Sequence, residues 1–586
     1  MYYFNVDFER NKLVIFRALG IKPTKSDADN AKSFKLVIKL SLNNNYWLDM
    51  KKYRLRLLYE ALTRHNYFPN QKSNINELPP CLSTRQFTPE VAEQLAALRE
   101  NDNRTKNGYD VVIYNATRYN NAFRELSLVH PKAYALLTKH IHDNWDKISY
   151  VENNENSIIK PEHHQDGRLM VMNYEDPVEK TTRALTSSFG KRFQVRADVS
   201  NCFNSIYSHA IAWGLVGFDF AKANRGHGEW FNQLDMYQRK CKRNETQGIP
   251  IGPATSSVSV EIVLGKVDEK LKEEGFQFHR YVDDYNCYCE TNEDAHRFIR
   301  VLGKTLSKYK LALNIQKTEI IEHPVPDQDS WILNLLGALP SRLHKAHPDE
   351  PKLTDAEAIT FINHALVVNK QTPDGSVLKY AIQLIVGFLD EHSHTAVYRS
   401  VLNLSWHYPI LIPYLEILLE HANIHNDELA EHLNRLIVEN CQHRRSDGIC
   451  WPLHIIKRKG VLVQADTIKA VVESEDCVGL TLLSSILLIK DPIIEFAQKI
   501  IDSNDNYLKD SYWLLLYQLF RSGDIGNAYH NRMFEILLEN DVDFLPEDGV
   551  ETAAEKESAR QRGVAMFGPV PITNILKKPA TPTPAN

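Results

Sequence analysis

Residues 280–289 read RYVDDYNCYC and place two adjacent carboxylates, Asp283 and Asp284, between two alternating segments. Aromatic and β-branched residues recur at every second position there, a pattern typical of strands. Because Asp tolerates turn backbone, the sequence predicts a hairpin with both carboxylates at its tip. Two like charges so close together are unfavourable unless a divalent cation offsets their repulsion. An ordinary solvated turn is the alternative interpretation.

Three further segments accompany this hairpin along the chain. Residues 193–203 read FQVRADVSNCF, a predicted strand followed by Phe203. Residues 246–257 read TQGIPIGPATSS, a Gly/Pro loop that leads into a predicted helix over residues 258–274. Residues 311–318 read LALNIQKT. Together with the hairpin, these segments resemble motifs A, B, C and D of the reverse transcriptase palm.

The resemblance implies a two-metal-ion polymerase site. By this resemblance Asp198 and Asp283 bridge two Mg²⁺ ions, with Mn²⁺ as a substitute, and the Val199 carbonyl helps to hold the nucleotide's ion. Asp284 is the second carboxylate of the turn, and Lys317 approaches the triphosphate as a general acid. Phosphoryl transfer uses one ion at the attacking hydroxyl and one at the leaving group. Mg²⁺ prefers hard oxygen ligands such as these.

The resemblance also implies contacts to the incoming nucleotide. Phe203 corresponds to the steric gate against a ribose 2′-hydroxyl, which implies the use of dNTPs rather than NTPs. Gln247 lines the nucleotide pocket, and Arg168 is the candidate for gripping the triphosphate. The alternatives are core packing for Phe203, loop capping for Gln247 and a solvated strand position for Arg168.

The composition is that of a folded protein without an overall basic charge. Of the 586 residues, 43% are hydrophobic, and the formal net charge is −5. Nucleic-acid binding would therefore depend on local Lys/Arg patches. The eight cysteines are scattered and no apolar run is long enough to span a bilayer, so we expect a protein of a reducing cytoplasm without membrane contact.

The whole chain predicts an α+β right-hand polymerase followed by helices. Residues 1–147 are interpreted as an N-terminal helical extension and the start of the fingers, and residues 148–342 as the reverse transcriptase fingers and palm, with residues 331–339 as a late strand. Residues 353–545 predict a HEAT-like α-helical repeat domain that opens with a capping box at Thr354 and Glu357. An irregular helical bundle is the alternative. Residues 546–586 are predicted to be disordered.

Basic residues in the helical region form a candidate nucleic-acid-binding face, because phosphate groups bind such clusters through charge. They are Arg444, Arg445, Lys457, Arg458 and Lys459. A solvated helix end is the alternative interpretation.

The combination of these palm motifs with a long helical C-terminus resembles the bacterial defence-associated, or abortive-infection (Abi-type, "unknown group"), reverse transcriptases. The resemblance rests on motifs over residues 150–340 and on architecture elsewhere. It implies DNA synthesis in phage defence, in some members without an external template and primed from a protein hydroxyl. The implied partners are dNTPs, an RNA template or noncoding RNA, the DNA product, and a second copy or a second reverse transcriptase.

A second functional class stays open. The chain could be a catalytically silent polymerase fold that serves as a scaffold or sensor through its helical-repeat domain. The intact set of Asp198, Asp283, Asp284 and Lys317 favours the enzyme, because a retired site has no physical need for clustered carboxylates.

Overall fold

The computed structural model describes residues 44–69, 77–100, 102–118, 121–164, 167–169, 177–326, 328–340, 343, 352–372, 376–529 and 531–547. Residues 1–43 of the predicted N-terminal extension and nearly all of the tail predicted over residues 546–586 lie outside the described residues. Contacts group residues 59–163 and 168–547 into one compact unit, whereas residues 44–58, 164 and 167 belong to another. In this described part of the chain, no helix is long and apolar enough to cross a membrane.

The region before the palm consists of helices and one β-hairpin. Its helices are α1 (Asn44–Glu60), α2 (Pro89–Ala97), α3 (Asp102–Asn107), α4 (Pro131–Asp143) and α5 (Trp145–Ile148). A π-helical turn, Ala61–His65, follows α1. The strands β1 (Val111–Thr117) and β2 (Phe123–Val129) pair antiparallel, with Val111 opposite Val129.

A four-stranded antiparallel sheet lies at the centre of the palm region. Its strands are β3 (Phe193–Asp198), β4 (Phe278–Tyr281), β5 (Asp284–Cys289) and β6 (Glu319–Glu322), in the order β4-β5-β3-β6. The predicted hairpin is confirmed, because β4 and β5 pair directly and only Val282 and Asp283 connect them.

The helices of the palm region surround this sheet. They are α6 (Pro177–Ser188), α7 (Cys202–Ser205), α8 (His209–Val216), α9 (Phe218–Ala223), α10 (Trp230–Lys240), α11 (Ala254–Glu273), α12 (Asn292–Lys308) and α13 (Ser330–Ala338). α12 packs on β3, β5 and α11. Tyr285, Cys287, Phe298 and Leu302 are fully buried in the core beneath the sheet. Side chains that alternate away from these core residues are left on the opposite face.

The prediction of a strand over residues 331–339 is wrong, because these residues form helix α13. Leu335 and Leu339 are buried, whereas Leu333 is exposed. A spacing of four residues between buried side chains is that of one helical face, and a strand would have buried every second residue.

From residue 352 onward, the described residues form twelve helices. These are α14 (Asp355–Gln371), α15 (Val377–Val386), α16 (Ser393–His407), α17 (Ile412–Leu418), α18 (Asn426–Gln442), α19 (Ser446–Lys459), α20 (Ala465–Ser474), α21 (Cys477–Ser484), α22 (Asp491–Asp502), α23 (Asn506–Ser511), α24 (Trp513–Arg521) and α25 (Met533–Glu539). The predicted capping box is confirmed, since Thr354 and Glu357 bond each other's backbone N–H groups. The predicted all-helical character of this region therefore holds for the described residues.

The helical region packs against the hairpin formed by β1 and β2. The carboxylate of Asp447 accepts hydrogen bonds from the backbone N–H and the hydroxyl of Thr117, both at 2.8 Å. Ser446 Oγ accepts from the Asn115 N–H at 2.9 Å. Trp513 Nε1 donates to the Leu128 carbonyl at 3.2 Å. Side chains of the helices thus satisfy polar groups at both strands of this hairpin.

Asp447 gives this contact a pH dependence. Burial raises its pKa to about 6, above the value of about 3.9 in an unfolded chain. The contribution to stability is therefore fully present below about pH 4 and is lost as the pH rises to about 6, by about 3 kcal/mol. We expect Asp447→Asn to lack this part of the pH dependence of the free energy of unfolding.

Denaturant unfolding of the wild type and the variant between about pH 4 and about pH 6 measures the difference. The matched control is Asp466→Asn, which changes an exposed carboxylate of the same helical region and should keep the wild-type slope. An unchanged slope in Asp447→Asn contradicts the prediction.

Candidate active site

Three carboxylates from two neighbouring strands meet at one end of the palm sheet. Asp198 is the last residue of β3, and Asp284 is the first residue of β5 directly opposite it. Asp283 precedes Asp284 in the turn, and its carbonyl accepts the Val199 N–H at 3.2 Å. The pairing of β3 with β5 therefore brings together residues that lie about 85 positions apart in the sequence.

The turn that carries two of these carboxylates has an unusual backbone. Val282 has a φ of 56°, in the left-handed region that β-branched residues rarely adopt. Such a conformation persists only where surrounding contacts hold it. Here the Arg280 guanidinium donates to the Val282 carbonyl at 2.6 Å.

Lys317 lies against the first carboxylate. Its Nζ is 2.8 Å from Asp198 Oδ2, and Asn314 Nδ2 donates to the same oxygen at 3.2 Å. The Asn314 N–H also donates to the Asp198 carbonyl at 2.8 Å, which fixes this segment along the end of β3. The Lys317 side chain is 66% exposed, so its ammonium group can leave Asp198 for another anion.

The site contains more negative charge than its own residues offset. Burial, followed by the charges of Asp284 and Asp198, raises the pKa of Asp283 to about 6. Burial and the charge of Asp198 also raise the pKa of Asp284. The hydrogen bond to Asp198 raises the pKa of Lys317. Repulsion among neighbouring carboxylates is what a bound divalent cation relieves.

The donor set fits a hard divalent cation by its chemistry. Carboxylate oxygens are the ligands that Mg²⁺ prefers, and Asp198, Asp283 and Asp284 supply them on adjacent strands. In the side-chain positions of the described residues, however, no group of three or more His, Cys, Asp or Glu is close enough to hold an ion. Mg²⁺ is usually held by one or two carboxylates together with substrate phosphates and water, so a site of this kind does not need three protein ligands in place beforehand.

Two of the predicted nucleotide contacts lie on segments that the structure joins. Phe203 is half-buried on α7, and its carbonyl accepts the Ile249 N–H at 3.0 Å. Gln247 is exposed, and its Nε2 donates to the Asn204 carbonyl at 3.2 Å. The loop that carries Gln247 is thus bonded to the segment that follows Asp198.

Arg168 is placed differently from the sequence-based expectation. It is only 2% exposed, and it does not line the cavity beside the carboxylates. A guanidinium buried in this way is not presented to a triphosphate in this conformation, and Phe203 and Gln247 do not line this cavity either.

A large polar cavity opens beside the carboxylates along the outer face of the sheet. Its volume is about 1100 Å³, and Asp198, Asp284 and Lys317 line one part of it. Six cationic side chains line the cavity against four carboxylates. The cations are Lys180, Arg183, Lys191, Arg192, Arg196 and Lys317, and the anions are Asp198, Asp284, Glu319 and Asp329. A chain of net charge −5 thus has a locally basic cavity at the site.

Sequence reasoning missed the cations of this cavity other than Lys317, although a signal for Arg196 exists. Arg196 lies two positions before Asp198 on β3, and alternate strand residues share a face. The same rule places Asn286 and Tyr288 on the face of Asp284, and all three line the cavity. The cations of α6 carry no such signal, because their proximity depends on how that helix packs.

The basic cluster predicted in the helical region is not one patch. Arg444 and Arg445 precede α19 and residues 457–459 end it, so the two groups are about 20 Å apart at 1.5 Å per residue. Arg458 also bonds the carboxylates of Glu416 and Glu420. The structure therefore separates these residues into two helix ends, as in the alternative interpretation.

Comparisons with known proteins agree with this geometry. Residues 134–340 match the family model for reverse transcriptase (RNA-dependent DNA polymerase). No curated protein matches the chain. Residues 134–340, just over a third of the chain, therefore form a reverse transcriptase domain, which is the domain of RNA-directed DNA polymerases.

Similar solved structures include telomerases from two Candida species. Apo telomerase from Candida tropicalis is 12% identical, with a TM-score of 0.28 over 83% of this chain and 86% of that one. A form truncated from its C-terminal domain is 13% identical, with a TM-score of 0.27 over 44% of this chain and 60% of that one. Candida albicans telomerase with a TWJ fragment of telomeric RNA is 12% identical, with a TM-score of 0.26 over 80% and 75%. Scores of this size carry no argument about overall architecture.

Proposed function

We propose that this chain, whose residues 134–340 are a reverse transcriptase domain, extends DNA strands from dNTPs on an RNA template. The observation that carries the proposal is the placement of Asp198 opposite Asp284, with Lys317 beside them, at a cavity of about 1100 Å³ lined by six cations. A template–primer duplex is polyanionic, and a basic cavity that ends at clustered carboxylates offers both a binding surface and a reaction centre.

Each group in the site has a role in this reaction. Asp198, Asp283 and Asp284 would hold two divalent cations, Mg²⁺ or in its place Mn²⁺, with the Val199 carbonyl as a further ligand. When bound, such ions would activate the primer hydroxyl and offset charge on the leaving pyrophosphate. Lys317 exchanges its bond to Asp198 for one to the triphosphate, where its ammonium group can donate a proton to the leaving group.

Primer extension with the purified full chain tests this proposal. The assay combines an RNA template, a complementary DNA primer, labelled dNTPs and Mg²⁺, with parallel reactions that lack the primer or the template. We expect template-dependent extension of the primer. Failure of the folded protein to incorporate any label in all three reactions contradicts the proposal. Label that stays on the polypeptide without a primer would instead identify a protein hydroxyl as the primer.

Discrimination between sugars should depend on Phe203. This half-buried side chain follows Asp198 by five residues, and the resemblance of the motif puts it against the ribose of a nucleotide held by the carboxylates. We expect Phe203→Val to lower the preference for dNTPs over NTPs, measured as a ratio of kcat/KM values, by at least about tenfold, because the smaller side chain admits a 2′-hydroxyl. Phe189→Val, which alters an exposed phenylalanine of the same region, is the control. An unchanged ratio in Phe203→Val rejects this role.

We also propose a place for this activity, resting on the resemblance of the palm motifs and of the helical C-terminus to the bacterial defence enzymes. The helices from α14 to α25 form stacked repeats, and the enzyme protects a bacterial cytoplasm against phage. Packing of α18 on α19 and α20, and of α19 on α21, supports a stack. Plating efficiency of phage on a host that carries the wild type or the double variant Asp283→Ala with Asp284→Ala tests the role. Equal protection by both contradicts DNA synthesis as its basis.

A further inference from the structure

A buried ion network lies directly beneath the catalytic turn, the turn of residues 282–284 that carries Asp283 and Asp284. Arg280 on β4 is 0% exposed, and its guanidinium bonds two carboxylates of α11 that are themselves buried. Glu261 accepts at 2.7 and 3.0 Å, and Asp268 accepts at distances from 2.7 to 3.1 Å. These two carboxylates are seven residues apart, so they lie on one face of the helix.

The network reaches the residues on both sides of the turn's carboxylates. Arg280 Nη1 donates to the carbonyl of Val282, the residue immediately before Asp283, at 2.6 Å. The hydroxyl of Tyr285, the residue immediately after Asp284, donates to Asp268 Oδ1 at 3.0 Å. Two consecutive catalytic carboxylates are therefore held by contacts at the residue before them and at the residue after them.

Stability alone gives a weak account of this arrangement. Desolvation of buried charges can exceed the attraction between them, and apolar side chains of similar size are often as stabilising. One guanidinium between two carboxylates also leaves surplus negative charge in the core. Val282 in the left-handed region adds backbone strain, which contacts of this kind must hold.

We propose that Arg280, held by Glu261 and Asp268, is a positioning residue that fixes the catalytic turn so that Asp283 and Asp284 face Asp198 for cation binding. The inference rests on the proposed polymerase function. Arg280 is fully buried and does not line the cavity, so it acts through the Val282 carbonyl. Groups that hold metal ligands in place commonly change metal affinity or activity by about 10–100-fold when removed.

The first test compares divalent-cation binding and turnover in Arg280→Met and Arg280→Lys. Mn²⁺ binding to the nucleotide-free protein is followed by electron paramagnetic resonance, and primer extension gives kcat, the KM for dNTP and the Mg²⁺ concentration for half-maximal rate. In Arg280→Met we expect Mn²⁺ binding at least about tenfold weaker, a raised Mg²⁺ requirement and a lower kcat with little change in the KM. Arg280→Lys keeps the positive charge but lacks the bidentate geometry of a guanidinium. We therefore expect its Mn²⁺ binding, Mg²⁺ requirement and kcat to lie between those of Arg280→Met and the wild type.

The second test separates positioning from folding with a milder, matched pair of variants. Tyr285→Phe removes the hydroxyl bonded to Asp268, and Tyr529→Phe removes a buried hydroxyl bonded to Asp510 at the same distance of 3.0 Å in another Arg–Asp network. Both should lower stability to a similar extent. Only Tyr285→Phe should weaken Mn²⁺ binding and raise the Mg²⁺ requirement.

The outcomes distinguish this inference from the proposed function. Wild-type Mn²⁺ binding and Mg²⁺ requirement in folded Arg280→Met, or in Tyr285→Phe if the former does not fold, overturn the positioning role. Equal weakening by Tyr285→Phe and Tyr529→Phe also overturns it, because the effect would then be one of general stability. A folded wild type without polymerase activity contradicts the proposed function instead, whatever the variants do to Mn²⁺ binding.

Discussion

Asp283→Asn is expected to reduce DNA synthesis by at least about 10³-fold while leaving the fold intact. The amide keeps the shape of the side chain but removes the charge that would hold a cation and stabilise charge developing in phosphoryl transfer. Because repulsion from Asp284 and Asp198 helps to raise the pKa of Asp283, its neutralisation also relieves those charges. The melting temperature of the variant should therefore equal or exceed that of the wild type. Primer extension and thermal unfolding measure the two effects.

The control for this prediction is Asp219→Asn. Asp219 is an exposed carboxylate of the same region on α9, and its neutralisation should change neither activity nor stability. Substantial primer extension by Asp283→Asn would contradict the assignment of the catalytic carboxylates. A large fall in melting temperature would show instead that Asp283 stabilises the folded state. Its position in a crowded acidic cluster does not predict such a role.

Residues 280–289 show which parts of the site could be predicted from the sequence. Alternation and adjacent carboxylates are local features, so residues 280–289 predicted the β4–β5 hairpin directly. The pairing of Asp284 with Asp198 could not be predicted from either strand alone, because neither strand specifies the register between the two. The order of the four motifs along the chain predicted it. Like charges placed side by side lower stability, so the adjacent carboxylates of Asp283 and Asp284 themselves indicate a functional position.

Arg280 shows where the same reasoning stopped. In the alternating pattern it counted as one more strand residue, yet its side chain points into the core and bonds Glu261 and Asp268. A signal was present, because two acidic residues seven positions apart lie on the otherwise apolar face of α11. The pairing of that helix face with β4 depends on tertiary packing, so no spacing within one segment predicts it.

The position of the helical region against the β1–β2 hairpin could not be predicted from local sequence patterns either. Its helices and its capping box follow from apolar spacing and from Thr354 with Glu357, and both were predicted. Its attachment to the β1–β2 hairpin depends on polar contacts between Asp447 and Thr117, 330 residues apart. An aspartate near a helix N-terminus looks like an ordinary solvated residue until its partner is known, so no local pattern indicates that Asp447 is buried.

Arg104→Met is expected to destabilise the folded chain by about 3–5 kcal/mol. Arg104 on α3 bonds both carboxylate oxygens of Asp510 on α23, including an Nη2–Oδ1 contact of 2.8 Å, and both side chains are buried. Burial raises the pKa of Asp510 to about 6 even with this partner present. Removal of the guanidinium leaves a buried carboxylate without its cation. Protonation of Asp510 or local unfolding then becomes lower in free energy than the ionised folded state. Denaturant unfolding near neutral pH measures the loss.

A matched surface pair gives the control for this prediction. Arg532 Nη2 donates to Glu539 Oε1 at 2.6 Å, and both side chains are more than half exposed. Exposed pairs contribute about 0–1 kcal/mol, so Arg532→Met should be nearly neutral. The loss in Arg104→Met should shrink as the pH falls towards about 6, because the pKa of Asp510 is higher without its cation and the protonated carboxyl no longer requires one. Equal stability of the two variants near neutral pH would mean that Asp510 is solvated and that the helical region is not anchored to α3 through this pair.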